Sequence, residues 1–185
     1  PATCTIDNSG TQGTLTLSGG NPSPSTLLCN GVSVNITVDK TSSLIYTVPA
    51  DTTNTRYRFA TTVQTRVTAT CASGTCSADS FTAYFQLQNT YQATPGSPTT
   101  WDATLSITVI GTLSGTGSTT GCTITTANGG GSASCQTWFD YNQAVTLLSP
   151  VGGWTGTAPV TFSDTTGGGT DTVTYTEAST GVSIT

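Results

Sequence analysis

Arg56-Tyr57-Arg58-Phe59-Ala60-Thr61-Thr62-Val63-Gln64-Thr65-Arg66-Val67-Thr68-Ala69-Thr70 is the stretch on which the fold turns. Its odd positions Tyr57, Phe59, Val63 and Val67 are apolar, and its even positions Arg56, Arg58, Gln64 and Arg66 are polar. A period of two belongs to a strand with one face in a core and the other in water, so the stretch predicts one long, half-buried strand. The same phase recurs in Phe81, Ala83, Phe85 and Leu87, and again in Trp101, Ala103, Leu105, Ile107 and Val109. A shorter strand is expected where Val32, Val34, Ile36 and Val38 alternate with polar residues. Residues 12–18, 44–48, 122–126, 138–148, 158–163, 171–176 and 182–185 are further candidates. That makes about ten strands set apart by Gly, Pro, Asn and Ser turns.

Composition points the same way. Thr makes up roughly a quarter of the 185 residues, and β-branched residues fit a pleated, half-buried surface. No window places apolar residues at i, i+3, i+4 and i+7 over three turns, as an amphipathic helix requires. The fold expected is all-β, an immunoglobulin-like β-sandwich or a jelly roll. The stretch Gly115 to Gly121 marks a point where a larger sheet unit would part from a smaller C-terminal one. Connecting loops are read at residues 19–24, 94–98 and 129–131 from their Gly, Pro and Ser content.

Six Cys and no His, at spacings unlike those of zinc sites, predict disulfides formed in an oxidising compartment. The local scheme Cys4 to Cys29, Cys71 to Cys76 and Cys122 to Cys135 closes each loop over a plausible turn. Opposed residues of an antiparallel hairpin sit close to disulfide distance, which suits Cys71 and Cys76. Pro1-Ala2-Thr3-Cys4, in a chain without Met, is expected of a mature protein that has lost a signal peptide. No apolar run reaches the roughly 20 residues that span a membrane. Four basic residues, Lys40, Arg56, Arg58 and Arg66, against nine acidic ones cannot coat a phosphate backbone, so nucleic acid is not an expected partner.

The lack of His removes Ser-His-Asp and Cys-His catalysis and the usual zinc sites. An enzyme would have to run on carboxylates. Asp164-Thr165-Thr166-Gly167 is similar to the Asp-Thr-Gly turn of aspartic proteases, but those need two such turns and a second is not found. Glu177, the only Glu, could be paired with Gln86 or Gln143 in a glutamic-peptidase scheme; a solvent-facing strand residue is the plainer reading. Asp140-Tyr141-Asn142 and the pair Asp164 and Asp171 could ligate a hard cation such as calcium, and ordinary turn residues are the plainer reading again. The expectation is no enzyme, no metal and no cofactor. Asn35-Ile36-Thr37 is the single N-glycosylation sequon. Trp101, Trp138 and Trp154, with Tyr84, Tyr91 and Tyr141, suggest a sugar-binding platform, although Trp101 falls in phase with a buried face.

One Lys among long Thr-rich strands leaves sheet edges with little protection. Such edges can accept a strand from another subunit, and a head-to-tail contact of that kind grows into an open filament. Phe85 to Pro95 (Phe-Gln-Leu-Gln-Asn-Thr-Tyr-Gln-Ala-Thr-Pro), Thr100 to Gly111 (Thr-Trp-Asp-Ala-Thr-Leu-Ser-Ile-Thr-Val-Ile-Gly) and Asp140 to Leu147 (Asp-Tyr-Asn-Gln-Ala-Val-Thr-Leu) carry a likeness of style. In these stretches the chain resembles subunits of archaeal threads and bundling pili, extracellular filaments built by donor-strand complementation. It departs from them in offering one sequon where thread subunits look heavily glycosylated.

The resemblance implies a structural subunit that polymerises with itself, in adhesion or biofilm formation at the cell surface, with surfaces or other filaments as further partners. It also implies a donor segment over residues 1–18, with Ile6, Leu15 and Leu17 filling pockets of the next subunit, and a sandwich over residues 19–185. Two other readings stand beside it: a monomeric secreted carbohydrate-binding or surface-adhesion domain, and an acid carboxylate hydrolase.

Overall fold

The structure is a computed structural model; it describes residues 1–6, 13–39, 43–59, 66–72, 75–76, 79–114, 117–150, 153–157 and 160–178. Among these there are strands, turns and bends and no helix. The chain forms two compact units. The first comprises Pro1–Leu87, Ser114–Thr116 and Asp140–Asn142; the second comprises Gln88–Leu113, Gly117–Phe139 and Gln143–Thr185.

In the first unit the strands are β1 (Ala2–Ile6), β2 (Thr14–Ser18), β3 (Thr26–Leu28), β4 (Ser33–Val34), β5 (Ser43–Thr47), β6 (Thr55–Phe59), β7 (Arg66–Ala72), β8 (Thr75–Cys76) and the first half of β9 (Asp79–Ser97). One sheet runs β3-β2-β5-β7-β8, with Leu15 opposite Leu27 and Leu17 opposite Tyr46. On the other side of the core, β9 is flanked by β1, parallel to it, and by β6, antiparallel to it. Period-two alternation sends Leu15, Leu17, Leu44 and Tyr46 inward from the first sheet to meet Cys4, Phe59, Phe81 and Ala83 from the second. Tyr46 of the first sheet lies 4.2 Å from Phe81 of the second between ring centroids, and Phe59, beside Phe81 in the second sheet, lies 5.9 Å from it.

The second unit takes the rest of β9 and adds β10 (Ser106–Leu113), β11 (Gly117–Thr125), β12 (Ala133–Asp140, whose last residue belongs to the first unit), β13 (Ala144–Leu147), β14 (Trp154–Gly156), β15 (Thr161–Ser163) and β16 (Thr170–Glu177). An antiparallel sheet runs β11-β10-β13-β15. Facing it, β16 pairs in parallel with β9 and antiparallel with β14. Ile107, Val109, Ile124 and Leu147 from one sheet pack on Tyr91, Val173, Trp154 and Tyr175 from the other. Phe139 lies across Gly111 and Gly121, where any Cβ would collide with its ring; those two glycines let the ring settle directly on the backbone of β10 and β11.

Several strands differ from their sequence-based outlines. The long strand expected over 56–70 stops at Phe59 and resumes at Arg66; residues 60–65, with Val63 and Gln64, lie outside the described residues. Its polar phase is also not a solvent face, because Arg58 is fully buried. The strand expected over 32–38 shrinks to Ser33–Val34, with an isolated bridge from Thr37 to Ser23. Trp101 reaches the core from a loop, since β10 begins only at Ser106. The single strand expected over 138–148 breaks at Tyr141-Asn142, where Asn142 takes the left-handed conformation at φ 55°, one that Asn tolerates better than most residues. The strand candidate 182–185 lies outside the described residues.

Candidate functional site: the N-terminal strand and its seat

β1 fits between two strands. Ala2 to Ile6 run parallel to Asp79–Ala83 of β9, while Ala2 and Thr3 pair antiparallel with Val34 and Ser33 of β4. The alternation of β1 turns Ala2 and Cys4 into the core. Cys4 is bridged to Cys29, with Cα atoms 4.3 Å apart. Around that bridge the Gly31 N–H donates to the Cys4 carbonyl at 2.9 Å and the Cys29 N–H to the Gly13 carbonyl at 2.8 Å.

Of the three residues assigned to a donor segment, Leu15 and Leu17 are buried in the chain's own first core. Their strand, β2, is hydrogen-bonded on both sides, to β3 and β5. Ile6 stands opposite Ala83 in the β1–β9 ladder, and its side chain lies outside the described residues. The second expected disulfide, Cys122 to Cys135, is formed, with Cα atoms 6.3 Å apart. Cys71 and Cys76 are direct cross-strand partners; their side chains are outside the described residues. Asn35 of the sequon is exposed in a segment without strand pairing of its own, while Val34 and Ile36 on either side pack against the first core.

Most aromatic residues of the suggested sugar platform are drawn inward. Trp101 and Trp154 are buried with ring centroids 4.7 Å apart. Tyr91 is buried edge-on to Phe139, and the Tyr84 ring lies 4.2 Å beneath the Arg58 guanidinium carbon. Their large apolar area favours the core, and three polar tips find partners: Trp101 Nε1 donates to the Gly131 carbonyl at 2.7 Å, Trp154 Nε1 to Asp102 Oδ1 at 2.9 Å and the Tyr91 hydroxyl to Asp164 Oδ2 at 2.9 Å. Tyr141 is partly buried against Phe85, and Trp138 is partly buried as well.

The carboxylates are also committed. Asp140, considered as a cation ligand, is saturated by protein donors: Arg58 Nη2 at 2.7 Å, Arg58 Nε at 3.3 Å, Gln86 Nε2 at 2.8 Å and the Ser114 N–H at 2.7 Å. Both ends of the ion pair are fully buried. Arg58 also donates to the Ser114 carbonyl at 3.2 Å, and Arg56 Nε donates to Gln86 Oε1 at 2.8 Å. Gln86, a candidate partner for Glu177, thus has both amide ends occupied within the first unit. Glu177 stands in the second unit beside Asp102, and Asp164 stands beside Asp171, also in the second unit.

Sequence reasoning missed the Arg58–Asp140–Gln86 cluster. Arg58 and Gln86 fall in the polar phase of their strands, and Asp140 is 82 residues from Arg58. The available signal was the scarcity of cations: in a chain with so few, Arg at i and i+2 of one apolar strand is costly to bury unless a carboxylate meets it.

Compared with protein-family models and with curated proteins, the chain matches none.

Proposed function

We propose that the chain is a structural subunit of an extracellular filament or pilus, acting by assembly in adhesion or biofilm formation. The observation that carries this reading is β1. It fills a slot between β4 and β9 with backbone bonds and with Ala2 and Cys4. A strand with those properties is the one element another copy can supply without redesign of the slot, since exchange of identical elements creates no new contact. Repeated head to tail, the exchange gives an open polymer. Cys4 to Cys29 would then join neighbours, and the polymer would be covalent.

Two disulfides fit an oxidising compartment, and among the described residues no helix is long and apolar enough to cross a membrane. The secreted location at the cell surface, after loss of a leader, belongs to the same proposal, as does glycosylation at Asn35.

Electron microscopy of the purified protein, with electrophoresis under non-reducing conditions, tests it. Filaments and a ladder of covalent multimers are expected, and removal of residues 1–6 should leave particles that no longer polymerise. A monodisperse monomer whose Cys4 and Cys29 map to one chain overturns the proposal. Filaments that run as single chains without reductant would keep assembly and remove β1 as the donor.

A further inference from the structure

The second unit holds four side-chain carboxyls, Asp102, Asp164, Asp171 and Glu177, and no Lys, Arg or His; all four basic residues of the chain fall in the first unit. The four meet two by two. Each pair is assembled in the same way on β16.

Near the start of the strand, Asp171 is the cross-strand partner of Tyr91 on β9. The Tyr91 hydroxyl donates to Asp164 Oδ2 at 2.9 Å, which brings Asp164 against Asp171. Asp171 Oδ2 is buried and receives no hydrogen bond from any described donor. At the end of the strand, Glu177 is the cross-strand partner of Trp154 on β14. Trp154 Nε1 donates to Asp102 Oδ1 at 2.9 Å, which places Asp102 near enough to Glu177 to raise it.

A buried carboxyl oxygen that no donor or cation meets is better accommodated with a proton on the group, whereas two bare carboxylates side by side repel. In the first unit the buried carboxylate of Asp140 is answered by Arg58; the second unit contains no cation to play that part. We propose that the first pair, Asp164 with Asp171, is a proton-dependent latch, holding one carboxyl proton, which fastens the Asp164–Gly169 loop to β16 in acid and loosens when both partners ionise.

The groups facing the first pair are Tyr91 and Asn89 of β9; Asn89 also clasps the loop, donating to the Thr166 carbonyl at 3.3 Å and accepting from the Gly169 N–H at 3.0 Å. The second pair faces the Trp154 indole. Burial and the neighbouring Asp164 push Asp171 up to about 6. Desolvation and Asp102 raise Glu177, and burial with both aspartates raises Tyr91, so its hydroxyl keeps its proton and remains a donor. An unfolded carboxyl titrates near ~4. Between there and about 6 the folded chain therefore binds more protons than the unfolded one, so the stability contributed by Asp171 is complete below the unfolded value and is lost as pH rises through about 6.

All three Trp belong to the second unit, so Trp fluorescence of the full chain during urea unfolding reports on it. The midpoint should be highest in acid, fall as pH rises from ~4 through about 6 and level off above it. Asp171→Asn should flatten that fall and raise the midpoint at pH 7.5 above that of the native chain. Carbon-13 carboxyl spectra of the unaltered protein give a second readout that needs no variant, with Asp171 titrating near 6. A midpoint that climbs toward neutral pH, an equal slope in the variant, or Asp171 titrating near 4 overturns the proposal. So does calcium at pH 7.5 raising the midpoint of the native chain but not of Asp171→Asn, which would mark a cation site in its place.

Discussion

The two units share a backbone plan and differ in how they treat charge. In each, half of β9 is flanked by a parallel strand, β1 in the first and β16 in the second, and an antiparallel sheet packs across the core. The first unit holds every basic residue and seals one Arg–Asp pair completely inside. The second has no cation and sets its carboxyls against one another. A buried carboxylate can be compensated by a cation or by a proton, and these units use one solution each. The same plan of strands therefore does not dictate the same response to pH or to mutation.

The largest expected effect comes from breaking the ion pair. Arg58→Ala leaves Asp140 buried without its cation and should cost about 3–5 kcal/mol, read from urea unfolding followed by far-ultraviolet circular dichroism. Replacing the pair together, Arg58→Met with Asp140→Leu, should recover most of that loss; a double variant as unstable as the single one would show that the polar cluster, and not the unmatched charge, holds the unit.

Next come the disulfides. Cys4→Ser with Cys29→Ser should cost about 2–4 kcal/mol on the loop-entropy account. In the monomer, where Cys4 to Cys29 closes 25 residues and Cys122 to Cys135 closes 13, the first loss should exceed the second by about 0.6 kcal/mol. The reverse order in denaturant midpoints would point to strain or residual unfolded structure in one unit.

Gly111→Ala in the second unit should cost about 1–3 kcal/mol by driving a methyl group into the Phe139 ring. Trp fluorescence checks it, and Phe139→Leu should make the same substitution milder. The smallest effect is expected at Asn142, whose left-handed backbone makes Asn142→Ala unfavourable by about 1 kcal/mol, while Asn142→Gly should leave thermal stability nearly unchanged.

Much of the fold was legible because burial of one strand face leaves a local, period-two trace. Phe81, Ala83, Phe85 and Leu87 are buried as their alternation predicts, and so are Ile107 and Val109. The trace failed where both faces are covered: Tyr84 and Gln86, the alternate residues of β9, are buried too. It failed again where a residue enters the core from a loop, as Trp101 does, since no periodicity describes a loop.

The candidate site was less legible. The sequon, the two disulfides and the lone Glu could be named from residue types alone. The seat of β1 could not, because parallel pairing with Asp79–Ala83 brings together segments more than seventy residues apart.

What the amino-acid sequence determined by itself is the all-β class and its disulfide pairs at 4/29 and 122/135, since both follow from periods and spacings within a few residues or one loop. What only the tertiary structure decided is the use of charge: that Arg58 would meet Asp140, and that Asp164 would meet Asp171 and Asp102 would meet Glu177. Coulomb and hydrogen-bond terms depend on distance in space, and strand pairing sets that distance between residues whose separation along the chain carries no signal.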